Sequence, residues 1–124
     1  MRFKFLHFGD CHLGYRQYDH VDRYNDFAKA FLHVIDAAVA EKVDFVLLAG
    51  DLFHKRSIDA RTLNQAIAGL ERRQKAGIPC VAVEGNHELA YLNDQVGWLH
   101  FLGLRGYVTL LTPDMRDGTF GLGP

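Results

Sequence analysis

Three times in this chain an apolar run stops at a glycine, and the next residue is Asp or Asn. "HFGD" ends at Asp10, "LAGD" at Asp51 and "VEGN" at Asn86. The runs before these endings have strand length, and the intervals between them have the length of a strand–helix–strand unit. "FKFLHF" (3–8) and "CVAVEG" (80–85) read as strands. "VDFVLLAG" (43–50) is almost continuously apolar, as expected for a strand covered on both faces. Val21, Tyr24, Phe27, Phe31, Val34, Ile35 and Ala38 recur at helical spacing and predict an amphipathic helix over 19–41. Ser57 is expected to cap a second helix, with Leu63, Ile67 and Leu70 on its apolar face and Gly77 and Pro79 at its end. A short third helix is expected from Asn93 or Asp94 through Leu102, ended by Gly103, and "YVTLL" (107–111) reads as a fourth strand. This alternation predicts an α/β domain with a mainly parallel sheet flanked by helices. The closing "TPDMRDGTFGLGP" reads as turn-rich and without a final element, so residues 1–124 are expected to be a piece of something longer.

A chain of 124 residues, 48% of them hydrophobic, suffices for one domain with a real core. Its net charge of −1 excludes a globally basic nucleic-acid binder. It leaves room for a local basic rim, because bound metal ions add positive charge that the sequence count omits. Cys11 and Cys80 are expected at opposite edges of the sheet, as reduced thiols of a cytoplasmic protein. Lys4 and then Gly9-Asp10 interrupt the apolar N-terminus too early for a signal peptide, and no run reaches membrane-spanning length.

Open α/β sheets bind ligands at the carboxyl ends of their strands, and glycine there allows sharp turns and close approach. Asp10, Asp51 and Asn86 should therefore converge at one edge of the sheet. Asp10 and His12 stand at i and i+2, so in extended backbone both side chains would point the same way. A carboxylate beside an imidazole can hold a divalent ion such as manganese, iron or zinc. Alone, the triplet is better read as a loop with a solvated Asp. Asp51 could bridge two metals roughly 3.5–4 Å apart, or merely cap the segment after it. Asn86 offers a neutral carbonyl ligand, while His87 could protonate a leaving oxygen or be a turn residue.

Taken in order, "GDCH", "GD" and "GNHE" resemble the first three motifs of the calcineurin-like metallophosphoesterases. That resemblance implies part of a four-layer metallophosphoesterase sandwich, with residues 1–124 forming the N-terminal part of the domain. It implies that Asp10 and His12 bind one metal, Asp51 bridges and Asn86 binds the second. It also implies that His87 stabilises the transition state or protonates the leaving group. The two metals would neutralise charge on the attacking and leaving oxygens. "DCHLGYRQYDHVDRYNDFAKAF", "VDFVLLAGDLFHKRSID" and "GIPCVAVEGNHE" are similar, more narrowly, to the nuclease of the SbcD, or meiotic recombination eleven, family. The similarity runs over residues 1–90 and more loosely to about 111. It implies a manganese-dependent exonuclease and endonuclease acting on DNA, with an SbcC-type ATPase partner. His54 matches the histidine that orients the phosphodiester in that family; read on its own, it would be a surface residue after a strand.

Glu88 stands where the family usually carries Asp. The further histidines of the later motifs are missing; after Glu88 there is only His100, read as a helix side chain and not a ligand. The remaining ligands are expected beyond Pro124. Tyr15, Arg16, Lys55 and Arg56 follow the first two motifs and could contact phosphate or be solvated loop residues. Arg72, Arg73 and Lys75 are read as cations favoured at a helix C-terminus. Leu63, Trp98, Leu99 and Leu102 are read as core, although the family resemblance implies a homodimer through helices around 58–76 and 94–102. Two rival readings stand beside the nuclease: a small-molecule phosphodiesterase of the same superfamily, and a non-catalytic dimerising fragment.

Overall fold

The computed structural model describes residues 2–15, 21–54, 58–84, 97–116 and 119–123. The parallel part of the sheet comprises β1 (Phe5–Phe8), β2 (Phe45–Ala49), β3 (Cys80–Val83) and β4 (Thr109–Arg116), in that spatial order. Helices α1 (Val21–Ala40), α2 (Ala60–Lys75) and α3 (Trp98–Leu104) fall between successive strands in the chain. Strand β5 (Thr119–Gly123) pairs antiparallel with β4 at the far edge.

Register runs straight across the parallel strands. Phe8, Leu48, Ala82 and Leu110 form one row, and His7, Leu47, Val81 and Thr109 the next. Period-two alternation sends the two rows to opposite faces. Leu48, Ala82 and Leu110 are buried in one cluster with Phe31, Ile35, Ala66, Leu70, Leu99 and Leu102, which brings the described helices to that face. Phe45, Leu47, Val81 and Val83, on the alternate positions, are only half-buried. The expectation that β2 is covered on both faces is therefore met on one face only, among the described residues. The apolar composition of the other face shows in the exposed Phe5, whose ring stacks on Phe45 at 4.9 Å.

In α1, Tyr24, Ala28, Phe31, Ile35 and Ala38 make the buried stripe at helical spacing. Its partner α2 meets it so closely that a Cβ on Gly69 would lie 2.4 Å from the Phe31 ring. The buried stripe of α2 is Thr62, Ala66, Gly69, Leu70 and Arg73, which leaves Leu63 and Ile67 at its margin. Asp59 is the N-cap, its carboxylate accepting from the Thr62 N–H at 2.8 Å. Ser57, expected in that role, lies outside the described residues. Gly77 ends the helix in the left-handed region (φ 75°), as its sequence position indicated.

Two expectations are corrected. Arg73 is not a solvated cation at a helix end. It is 7% exposed, and its guanidinium donates to the carbonyls of Ile78 (3.2 Å) and Tyr107. It thus ties the end of α2 to the segments leading into β3 and β4, and burial pulls its pKa below the ordinary value. Arg72 does remain exposed, paired with Asp36 at 2.9 Å. The second correction is the C-terminal stretch, which is a hairpin and not a run of turns. Thr112 to Arg116 pair with Gly123 to Thr119. The Asp117-Gly118 dipeptide between these strands in sequence is a strong hairpin signal, obscured by Pro113 and the surrounding glycines. Cys80 is buried and Cys11 half-buried, and no disulfide joins them. No described helix is long and apolar enough to cross a membrane.

Candidate metal centre

Two loops leave neighbouring parallel strands at the same sheet edge, after Phe8 and after Ala49. A Cβ on Gly9 would lie 2.7 Å from the Ala49 carbonyl oxygen, so only glycine lets the first loop lie this close against the end of β2. Beyond the strands the pairing continues as a ladder between the loops. Asp10 N–H donates to Gly50 O (3.3 Å), His12 N–H to Asp51 O (2.9 Å), Leu13 N–H to Leu52 O (2.8 Å) and His54 N–H to Leu13 O (2.9 Å). Leu13, Leu52 and Phe53 are fully buried. Each such side chain contributes about 1.5–3 kcal/mol relative to exposure, which anchors the loops. The polar residues between these anchors are therefore held by backbone and core.

Asp10 (φ 55°), His12 (φ 47°) and Asp51 (φ 53°) all adopt left-handed backbone, as does Gly50 (φ 78°). Among the described residues the only other non-glycine with positive φ is Lys42, in the turn after α1. Such conformations cost free energy and persist where the surroundings impose them, characteristically at functional sites. The extended geometry expected for Asp10 and His12 is thus wrong. The two side chains do meet, with His12 Nε2 3.7 Å from Asp10 Oδ1, but a pair of left-handed turns brings them together.

One potential ligand atom from each of Asp10, His12 and Asp51 lies within 4.8 Å of the other two. Donors bound at about 2.0–2.2 Å to one ion sit roughly 3–4 Å apart. Small side-chain rotations would close the remaining difference. Two carboxylates and an imidazole suit a hard-to-borderline divalent ion, so the residues fit the metal that the motifs imply. Asp10 is exposed, while His12 and Asp51 are half-buried, leaving the cluster open to a substrate.

His54 stands beside this cluster. Its ring meets the His12 ring edge-on at 5.5 Å and packs against Tyr15 at 4.2 Å. Tyr15 in turn contacts Phe27 of α1 at 5.4 Å. Contacts of this kind contribute about 0.5–1.5 kcal/mol beyond area burial. Asn86, His87 and Glu88 lie outside the described residues, as do Arg16, Lys55 and Arg56. Before them in the chain, β3 runs parallel to β2 with Val83 level with Ala49, so it too ends at the edge that carries the cluster. Burial raises the Glu84 carboxyl pKa, and the nearby His100, exposed on α3, partly offsets this.

The profile of the calcineurin-like phosphoesterases matches residues 3–120. The chain belongs to the calcineurin-like phosphoesterase family. Divalent-metal chemistry is thereby implied for the Asp10–His12–Asp51 cluster. Curated relatives are named DNA double-strand break repair protein Mre11, in line with the narrower resemblance seen in the sequence. That of Archaeoglobus fulgidus is 44% identical over 109 residues, covering 82% of this chain and 25% of the relative. The Halobacterium salinarum protein is 49% identical over 83 residues (67% of this chain, 21% of the relative). The Methanosarcina mazei protein is 41% identical over 103 residues (83% and 17%). The chain thus spans a quarter or less of the length of these relatives.

Proposed function

We propose that this chain carries the first half of the active site of a DNA-break nuclease, a metal-dependent phosphodiesterase. The observation that carries this reading is the Asp10–His12–Asp51 donor cluster on the strand-end edge with His54 beside it. The Mre11 relatives support DNA as the substrate. In this reading Asp10 and His12 would hold one divalent ion, Asn86 a second, and Asp51 would serve both. Mixed carboxylate and imidazole donors accept manganese, iron or zinc, and the family resemblance favours manganese among them. The bound ions supply charge neutralisation at the phosphodiester. His87 donates a proton to the leaving oxygen or stabilises the charge that develops there, and His54 orients the phosphodiester. Arg16 and Arg56 contact phosphates, giving binding that is independent of sequence and weakened by salt. Residues 1–124 hold only part of a two-metal donor set and are inactive on their own.

Two assembly features belong to the same proposal. The intact protein pairs with a second copy through helices around 58–76 and 94–102, and it works with an SbcC-type ATPase. Of the side chains expected at that pairing, Leu63 and Trp98 are only half-buried, while Leu99 and Leu102 are fully buried in the core of this chain. The decisive experiment is hydrolysis of linear duplex DNA by the intact protein with manganese, run beside nucleotide phosphoesters. DNA is expected to be cleaved, with His87→Ala lowering the rate about 10²–10⁴-fold, the range typical of general acid–base groups. Full activity of His87→Ala would remove its assigned role, and preference for nucleotide esters would replace DNA as the substrate.

A further inference from the structure

Resting on that reading, we propose that Tyr15 is a positioning residue for His54, holding its imidazole in one rotamer beside the Asp10–His12–Asp51 cluster. The alternative that the sequence offers is a direct contact from Tyr15 to phosphate. The geometry points to the ring and not the hydroxyl. Ring centroids of Tyr15 and His54 are 4.2 Å apart with planes inclined by 39°, so the two are packed against each other. The same Tyr15 ring meets Phe27 edge-on at 5.4 Å, tying it to α1. Backbone bonds set the pair. Tyr15 N–H donates to His12 O (3.1 Å), and His54 N–H donates to Leu13 O (2.9 Å). Both residues therefore take their places from one short loop, whose Leu13 is fully buried. A tyrosine has only two side-chain torsions, so a ring fixed at its base makes a stiff wall. A group that orients substrate must be held within about 0.5 Å and 10–20° to be effective, and an imidazole left to change rotamer is not.

The two roles respond differently to removal of the hydroxyl. Packing survives Tyr15→Phe and fails in Tyr15→Leu, whereas a phosphate contact fails in both. On linear duplex DNA with manganese, Tyr15→Leu of the intact protein is expected to lose about ten- to a hundredfold in kcat with KM nearly unchanged. Tyr15→Phe should restore most of that loss. In a His54→Ala background Tyr15→Leu should cost nothing further, because the residue acts through His54. Losses that simply add, an equal defect in Tyr15→Phe, or a change confined to KM would each overturn the assignment. Three-bond couplings of the His54 side chain, measured by NMR with magnesium bound, need no nuclease activity. One rotamer is expected in the unsubstituted protein and in Tyr15→Phe, and averaging in Tyr15→Leu; a single rotamer throughout would overturn the proposal. If the unsubstituted protein left DNA intact, the nuclease reading would fail, and these couplings would still decide the role of Tyr15.

Discussion

Gly9 is where one atom decides how two loops meet. An added Cβ would sit 2.7 Å from the Ala49 carbonyl oxygen, a backbone atom that cannot swing aside as a side chain can. Gly9→Ala is expected to cost about 1–3 kcal/mol by overpacking. It should also weaken divalent-metal binding on the order of tenfold, as loss of a supporting contact does. Urea unfolding and metal titration of the same variant check both effects. Cys80 makes stability depend on pH in the alkaline range. Burial pushes its thiol pKa up from 9.0 to about 11. Below pH 9 the thiol is protonated in both folded and unfolded chains and contributes no pH dependence. Between pH 9 and 11 the unfolded chain loses the proton that the folded chain keeps. Stability should therefore fall over that window, by about 3 kcal/mol at most, and Cys80→Ala should lack this fall in pH-dependent unfolding. That Asp10, His12 and Asp51 come together could be read from the residue types and their place at apolar strand ends. Their left-handed backbone could not, because nothing in an Asp-x-His triplet distinguishes an extended loop from one bent by a neighbouring loop far away in sequence.

At the scale of elements, the periodic segments were the legible ones. The stripe from Tyr24 to Ala38 and the stop at Gly77 follow from local rules. The face of α2 was harder to read. Leu63 and Ile67 suggest one buried stripe, yet Thr62, Gly69 and Arg73 are buried instead. Thr62 is accommodated because its hydroxyl hydrogen-bonds to the Tyr24 hydroxyl at 2.9 Å. Gly69 is accommodated because Phe31 fills the space above it. Arg73 is accommodated because two carbonyls receive its guanidinium. These are long-range compensations, and a single-helix pattern does not contain them. Arg73→Ala should accordingly destabilise the protein by about 2–4 kcal/mol, since it strands one buried and one half-buried carbonyl. Arg72→Ala, which breaks only an exposed pair with Asp36, should cost less than about 1 kcal/mol. Denaturant unfolding of the two neighbours side by side makes the contrast.

At the scale of the whole molecule, strand order and function meet. Parallel strands in sequential order bring the ends of β1, β2 and β3 to one edge. Residues some forty apart in the chain, Asp10 and Asp51, thereby fall into one cluster. This topology was legible because each strand announces its end with glycine and a polar residue. The C-terminal hairpin was not, because a proline and several glycines hid a strand pair behind turn composition. On the reading proposed above, Asp10, His12 and Asp51 form a divalent-metal centre. Calorimetric titration of manganese into the intact protein and into Asp51→Asn tests it most directly. Manganese is expected to bind the unsubstituted protein, and Asp51→Asn to lose at least about tenfold in affinity together with part of the stoichiometry. Unchanged affinity and stoichiometry in Asp51→Asn would contradict the account.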